Sequence, residues 1–243
     1  MLNNTKFITP NWPAPANVKA LQTTRNGGIS VAPYNSFNLG SHVRDNPNHV
    51  AQNRQSLSQF LPSEPVWLNQ VHGINVIDAA NTACAPDADA SYTTQKNVVC
   101  VTMTADCLPI LLCDTAGTLV ASIHAGWRSL CDGVIEATIA KMGAESSQLM
   151  AWFGPAIGPN AFEVGAEVRE QFIAKDAQAK LAFKQHGNKY LSNIYQIATQ
   201  RLNNCGVTQI DGGNFCTYSQ TDQFFSFRRD GATGRMATLI WLI

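Results

Sequence analysis

Charge is scarce in this chain of 243 residues: only 14% are charged, and 17 basic residues balance 17 acidic ones. With 45% hydrophobic residues, that composition excludes a disordered chain. Zero net charge and the lack of a basic stripe argue against nucleic acid or an anionic membrane as main partner. No apolar run approaches the length of about 20 residues that a transmembrane helix needs. The longest near the C-terminus covers only residues 237–243. The opening MLNNTKFITPNWP lacks the apolar middle of a secretory signal, so a cytoplasmic location is expected. There is no CxxC spacing, and the cysteines (Cys84, Cys100, Cys107, Cys113, Cys131, Cys205 and Cys216) are odd in number. Both facts speak against a disulfide framework, and most of these thiols read as small buried hydrophobes. Repeats, low-complexity tracts and hinge-like linkers are also missing, so residues 1–243 read as a single domain with ample chain for a core.

What is present is a mixture of short strands, turns and amphipathic helices. Asn46-Pro47 opens a helix expected to run to about Phe60, with Asn46 as cap and Pro47 where its missing N–H costs nothing. Strands are expected at 66–68, 97–104, 108–114 and 118–124, with a tight turn at Thr115-Ala116-Gly117. Helical spacing marks 130–142, stopped by Gly143, then 164–173, and a third apolar face of Leu191, Ile194, Tyr195, Ala198 and Leu202. Further strands are expected at 207–210, 223–227 and 235–243. Strands and helices do not alternate regularly. The expected fold class is therefore α+β, a single-domain sandwich of mixed β-sheets flanked by helices.

Only five histidines exist, and two of them, His72 and His124, directly follow strand-like runs. Cys107 falls at the break between two strands. Strand ends are where a rigid scaffold presents side chains to a shared cleft. Two imidazoles and a thiolate suit zinc, whose catalytic sites use three protein ligands and keep the fourth position open. The ligands are separated by 34 and 16 residues, however, and no local metal motif is present.

Longer blocks add to this. Gln70-Val71-His72-Gly73, Thr104-Ala105-Asp106-Cys107-Leu108-Pro109 and His124-Ala125-Gly126-Trp127-Arg128 resemble the signature blocks of the YfiH family. Its members are also called laccase-domain proteins, FAMIN-like proteins or purine nucleoside phosphorylases. Thr24-Arg25-Asn26-Gly27-Gly28, Asn38-Leu39-Gly40, Asp87-Ala88-Asp89-Ala90, Gly154-Pro155-Ala156-Ile157-Gly158 and Phe225-Ser226-Phe227-Arg228-Arg229-Asp230 agree as well. The resemblance implies a zinc ion on His72, Cys107 and His124. It also implies phosphorolysis of adenosine, inosine, guanosine and methylthioadenosine, together with deamination of adenosine. Departures are Ser129 for a usual Gly, Arg44 for a frequent Gly, and Phe227 for Tyr; Arg44 and Ser129 are expected at the rim of the pocket.

For deamination the expected step is attack of a zinc-activated water on C6 of the purine. For phosphorolysis a guanidinium is expected to fork onto the phosphate; Arg128 is nearest in sequence, with Arg25 and Arg44 as further candidates, each equally readable as a surface charge. Asn38 is a candidate for a ribose hydroxyl, or else a turn residue. Asp106 reads either as an outer partner of a histidine ligand or as a structural cap. Three rivals stand beside the zinc enzyme. A copper polyphenol oxidase needs far more imidazoles than five for a four-copper cluster, though His72, Cys107, His124 and Met103 match a single blue-copper set. A metal-free cysteine hydrolase, including an amidase that edits cell-wall precursors, would use Cys107 as nucleophile and His124 as base. A binding scaffold is the third. Oligomeric state stays open.

Overall fold

The computed structural model describes residues 6–82 and 85–243, so Cys84 and the opening residues lie outside it. In chain order the strands are β1 (Phe7–Ile8), β2 (Val18–Thr23), β3 (Val76–Asp78), β4 (Ala90–Thr93), β5 (Cys100–Thr104), β6 (Leu108–Asp114) and β7 (Val120–Ala125). They continue with β8 (Leu149–Phe153), β9 (Glu163–Val164), β10 (Phe183–His186), β11 (Lys189–Ser192), β12 (Gln209–Gly212) and β13 (Met236–Leu242). The α-helices are α1 (Pro47–Ser58), α2 (Trp127–Asp132), α3 (Val134–Met142), α4 (Ala166–Lys175), α5 (Ile194–Asn204) and α6 (Phe227–Asp230). No helix among the described residues is long and apolar enough to cross a membrane.

Three sheets form: a six-stranded one ordered β12-β8-β6-β7-β4-β3, a four-stranded one ordered β1-β2-β13-β5, and a small β10-β11-β9 sheet. The six-stranded sheet is mixed, with parallel pairs β12–β8 and β3–β4 at its two edges and antiparallel pairs between them. Strand β6 shows why it lies in the middle. Leu108, Ile110 and Leu112 face one core with α3 and α5, while Leu111 and Cys113 face a second core shared with Ile240 and Leu242 of β13. A strand buried on both faces reads as a continuous apolar run, as LPILLCD does. The fold is thus α+β, with two mixed or antiparallel sheets packed face to face and helices on the outer side of the larger one.

Several elements depart from expectation, each for a visible reason. The helix expected over 130–142 is two helices, because Gly133 at φ 105° breaks it and α2 begins earlier, at Trp127. Gly143, at φ 66°, ends α3 as expected, with its N–H on Ile139. Leu191 belongs to β11, and Asn193 caps α5 by accepting from Gln196 N. The strand expected over 223–227 does not form. The backbone N–H groups of Gln223 and Phe224 turn back to Gln220 O at 3.1 Å each, and Ser226 caps α6 by accepting from Arg229 N. Residues 66–68 contribute only an isolated bridge at Val66.

Candidate metal centre

His124 sits near the end of β7, on the face that carries Val120 and Ser122. That face looks onto the smaller sheet: Ser122 Oγ lies 2.9 Å from Thr102 Oγ1 and donates to Thr238 O at 3.2 Å. Cys107 ends the short crossing from β5 in the smaller sheet to β6 in the larger. His72 comes from a loop docked on the same edge. The Gln70 amide holds that loop like an extra strand, donating to Met103 O at 2.8 Å and accepting from Met103 N at 2.7 Å.

These placements bring one nitrogen of His72, one of His124 and the Cys107 sulfur within 4.8 Å of one another. The Cys107 Sγ to His72 Nε2 separation is 3.7 Å. Ligands bonded at about 2.0–2.3 Å around a tetrahedral zinc stand roughly 3.3–3.8 Å apart, so the donor set fits a metal in chemistry and the Cys107–His72 spacing fits it in size. This is the one group of three or more such side chains found among the described residues.

Asp89 organises two of the three. Its fully buried carboxylate accepts from the N–H groups of Val71 (3.2 Å), His72 (3.0 Å) and Gly73 (2.6 Å), and lies 2.7 Å from His124 Nδ1. A carboxylate on Nδ1 fixes the tautomer that leaves Nε2 free for a metal. Burial works to raise the Asp89 carboxyl, but the bonds from His124 and the backbone outweigh it and hold it below its ordinary value. The same contacts clamp His72 in the left-handed region at φ 60°, which costs an ordinary residue roughly 1–2 kcal/mol. Asp106, at φ 100°, is clamped in its turn by Thr217 Oγ1 and Arg228 N, both at 2.6 Å.

Charge in the cluster follows from these contacts. Burial pushes the Cys107 thiol up, yet His124 and His72 overcome it and bring it down to about 6. Burial pushes His124 down, while the Cys107 thiolate and Asp89 raise it to about 9. These opposite shifts favour a thiolate beside an imidazolium, and a deprotonated Cys107 with a neutral His124 is the form that would hold a metal.

Gly126 guards the space. A Cβ there would fall 2.6 Å from His72 Cδ2 and 3.3 Å from the Cys107 sulfur. Its φ of −63° suits any residue, so the glycine is required for room and not for backbone freedom. Gly126→Ala is expected to fold normally, with wild-type circular dichroism, and to lose about 10–100-fold in metal affinity as His72 is displaced. A zinc titration against a competing chelator measures it.

A cleft opens around the cluster. One lobe, of about 270 Å³, is walled by Trp127, Ile157, Phe162 and Phe227 beside Cys107 and Arg128. A second, of about 380 Å³, holds His72, His124, Cys107, Gln70, His42 and Arg235. A third, of about 390 Å³, continues outward past His42 and Arg235 to Arg44 and Thr233. Phe227, 59% exposed, borders all three.

Residues 19–243 match the family model described as "Multi-copper polyphenol oxidoreductase laccase". The purine nucleoside phosphorylase YfiH of Escherichia coli K12 is 56% identical over 98% of this chain and 99% of its own length. This chain belongs to the YfiH family. A purine nucleoside phosphorylase of Haemophilus influenzae is 54% identical over 96% of this chain and 98% of its own. Among solved structures, the Neisseria meningitidis protein NMB0706 superposes with a TM-score of 0.95 at 50% identity, covering 98% of this chain and 99% of its own. YlmD from Geobacillus stearothermophilus gives 0.90 at 28% identity, covering 98% and 96%. For this YfiH-family chain the fold is therefore shared along nearly its full length.

The structure places the remaining candidates unevenly. Arg128 borders the first two lobes, its guanidinium 4.4 Å over the Trp127 ring. Arg44 is exposed and reaches only the outer lobe. Arg25 is not a cleft residue: it ties loops together, donating to Asn35 O and Thr221 O at 3.0 Å each and stacking on Phe225. Asn38 is no ribose reader either. It is fully buried, accepts from Gly40 N and Arg235 N, and donates to Gly40 O and Asp45 Oδ2, which spends its amide. Asp106 is the structural brace, and Asp89 is the histidine's partner. Ser129 is fully buried, not at the rim. Sequence reasoning missed Asp89, Gln70, His42 and Arg235 as site residues. Asp89 and Gln70 had a signal, lying within the Asp87-Ala88-Asp89-Ala90 and Gln70-Val71-His72-Gly73 blocks, whereas His42 and Arg235 lay in none of those quoted.

Proposed function

We propose that this chain is a zinc-dependent purine nucleoside phosphorylase acting on adenosine, inosine, guanosine and methylthioadenosine, with adenosine deaminase activity at the same site. The observation that carries the reading is the His72–Cys107–His124 group at the base of a cleft with one apolar and one cationic lobe. The names carried by the relatives above support the same substrate class. The metal, when bound, supplies a Lewis acid that stabilises negative charge on oxygen.

The chain's own residues supply the rest. Trp127, Ile157, Phe162 and Phe227 offer aromatic and aliphatic surface to a purine, whose faces bury well against such walls. Arg128, free of any ion pair among those found in the described residues, borders both this lobe and the lobe of the metal ligands. In phosphorolysis a phosphate oxygen bonds to ribose C1′ as the C1′–N9 bond breaks; the electron pair leaves with the base, which takes up a proton. Ribose 1-phosphate and free base result. In deamination water adds at C6 and ammonia leaves. Zinc is preferred to copper because a four-copper oxidase needs more imidazoles than the five present, two of which already serve this group.

One experiment separates the readings. The purified protein, assayed for metal, is incubated with adenosine with and without phosphate, before and after exhaustive chelation. Stoichiometric zinc and phosphate-dependent release of adenine, lost on chelation and restored by zinc, is the expected result. Turnover that survives chelation favours instead the cysteine hydrolase, which the thiolate–imidazolium pair would suit. An intense blue protein would favour copper, and no turnover at all a scaffold.

A further inference from the structure

Arg235 is the feature of the cleft that the metal cluster does not explain. It precedes β13 and reaches into both the metal lobe and the outer lobe. Its position is built, not incidental. Asn38 Oδ1 accepts from its backbone N–H at 2.8 Å, and a Cβ at Gly40 would come within 2.8 Å of its Cγ. Arg235 is half-buried, yet among the described residues its guanidinium donates only to the carbonyls of Thr233 (3.1 Å) and Gly234 (3.0 Å). None of the ion pairs among the described residues includes it. A sheltered cation without a carboxylate partner is costly unless an anion completes it.

His42 borders the same two lobes, and burial, then Arg235 and Arg54, hold its imidazole below the ordinary value, so it faces the lobes as a neutral ring with a hydrogen bond to give. Arg54 also lacks an acidic hydrogen-bond partner, donating to Leu39 O and lying over the Trp67 ring at 3.9 Å. Arg128 lines the same metal lobe. The walls carry two buried threonine hydroxyls, Thr104 Oγ1 and Thr233 Oγ1, with no protein hydrogen-bond partner. The acidic groups nearest Arg235 are occupied: Asp106 by Thr217 and Arg228 N, and the Cys107 sulfur by its place in the metal group.

We infer that Arg235 and His42, with Arg128 lining the same lobe, form a binding site for a phosphate oxyanion beside the metal group. This deepens the phosphorylase reading and rests on it for the source of the anion. Free orthophosphate placed here lies between the metal ligands and the outer lobe, leaving the apolar lobe to the base. A planar guanidinium can fork onto two phosphate oxygens, and the neutral histidine can donate to a third. The same chemistry also suits the 5′-phosphate of a nucleotide.

The test is a titration of the zinc-loaded protein with inorganic phosphate, and separately with adenosine 5′-monophosphate, by calorimetry and phosphorus NMR. Wild type is compared with Arg235→Gln and with His42→Gln, the second chosen because the exposed His42 side chain makes no hydrogen bond among the described residues. Phosphate affinity is expected to fall about tenfold or more in Arg235→Gln and severalfold in His42→Gln. In turnover, KM for phosphate should rise in parallel while KM for adenosine changes less than about threefold. Loss confined to the monophosphate would keep the oxyanion site and make the nucleotide its source. Unchanged binding of both probes in a folded Arg235→Gln, or in His42→Gln should the arginine variant not fold, overturns the inference. Arg235-dependent phosphate binding in a protein that releases no base would instead overturn the phosphorylase reading and leave the site standing.

Discussion

Replacing Cys107 by alanine is expected to reduce bound metal from about one ion per chain to background. Phosphate-dependent base release should fall by roughly 10³-fold or more, about 4 kcal/mol of lost barrier reduction. The sulfur is the only anionic ligand of the group, and no neighbour replaces it: Asp106 is turned to Thr217 and Arg228, and Asp89 is committed to His124 and the backbone of 71–73. Stability should change little, because Cys107 is only half-buried and belongs to none of the hydrophobic clusters. Metal analysis by mass spectrometry beside a base-release assay reads both effects. His124→Ala should match it in turnover but also lose stability, since Asp89 is then left buried without its cationic partner. Full metal content with abolished turnover in Cys107→Ala would move the cysteine from ligand to nucleophile.

The reason three residues so far apart in sequence form one site is the sandwich itself. β5 and β7 belong to different sheets, and the turn of 105–107 between β5 and β6 closes the gap at one edge. Cys107 at a strand break and His124 near a strand end were legible because strand period and turn residues mark both. His72 was legible only as a histidine after an apolar run. What docks it, the Gln70 amide on the end of β5 and the Asp89 carboxylate under residues 71–73, depends on pairings between segments some 16–33 residues apart. No local pattern records those.

The same limit explains the residues placed wrongly. Asn38 looked like a free polar group in a turn, and Arg25 like a free cation. Both are consumed by long-range partners, Arg235 N for the first and Thr221 O for the second. Conversely Arg235 read as the start of a terminal strand, and only the packing of Gly40 and Asn38 against it turns its side chain to the cleft. A helix limit failed where a glycine overruled periodicity, at Gly133, and the strand expected over 223–227 failed where the backbone N–H groups of Gln223 and Phe224 turn back onto Gln220 O.

Asp89 carries the second large expectation. Asp89→Asn keeps the volume but halves the accepting capacity, since one carboxylate oxygen becomes an N–H₂ group. That group cannot accept from the backbone N–H groups of 71–73, and turned toward His124 it would donate to Nδ1 and drive the ring proton to Nε2. That is the wrong tautomer for a ligand. Two effects should follow together. Metal affinity is expected to fall about 10–100-fold, as for other partners that orient metal-binding histidines. Buried donors left unmatched cost about 1–3 kcal/mol each, so the melting temperature of the metal-free protein should drop by roughly 5–10 °C. The coupling separates this residue from a plain ligand: excess zinc should restore much of the turnover in Asp89→Asn but none in Cys107→Ala. If Asp89→Asn binds zinc as tightly as wild type, the carboxylate serves the fold alone, and the orientation of His72 and His124 must come from the Gln70 dock and the strand end.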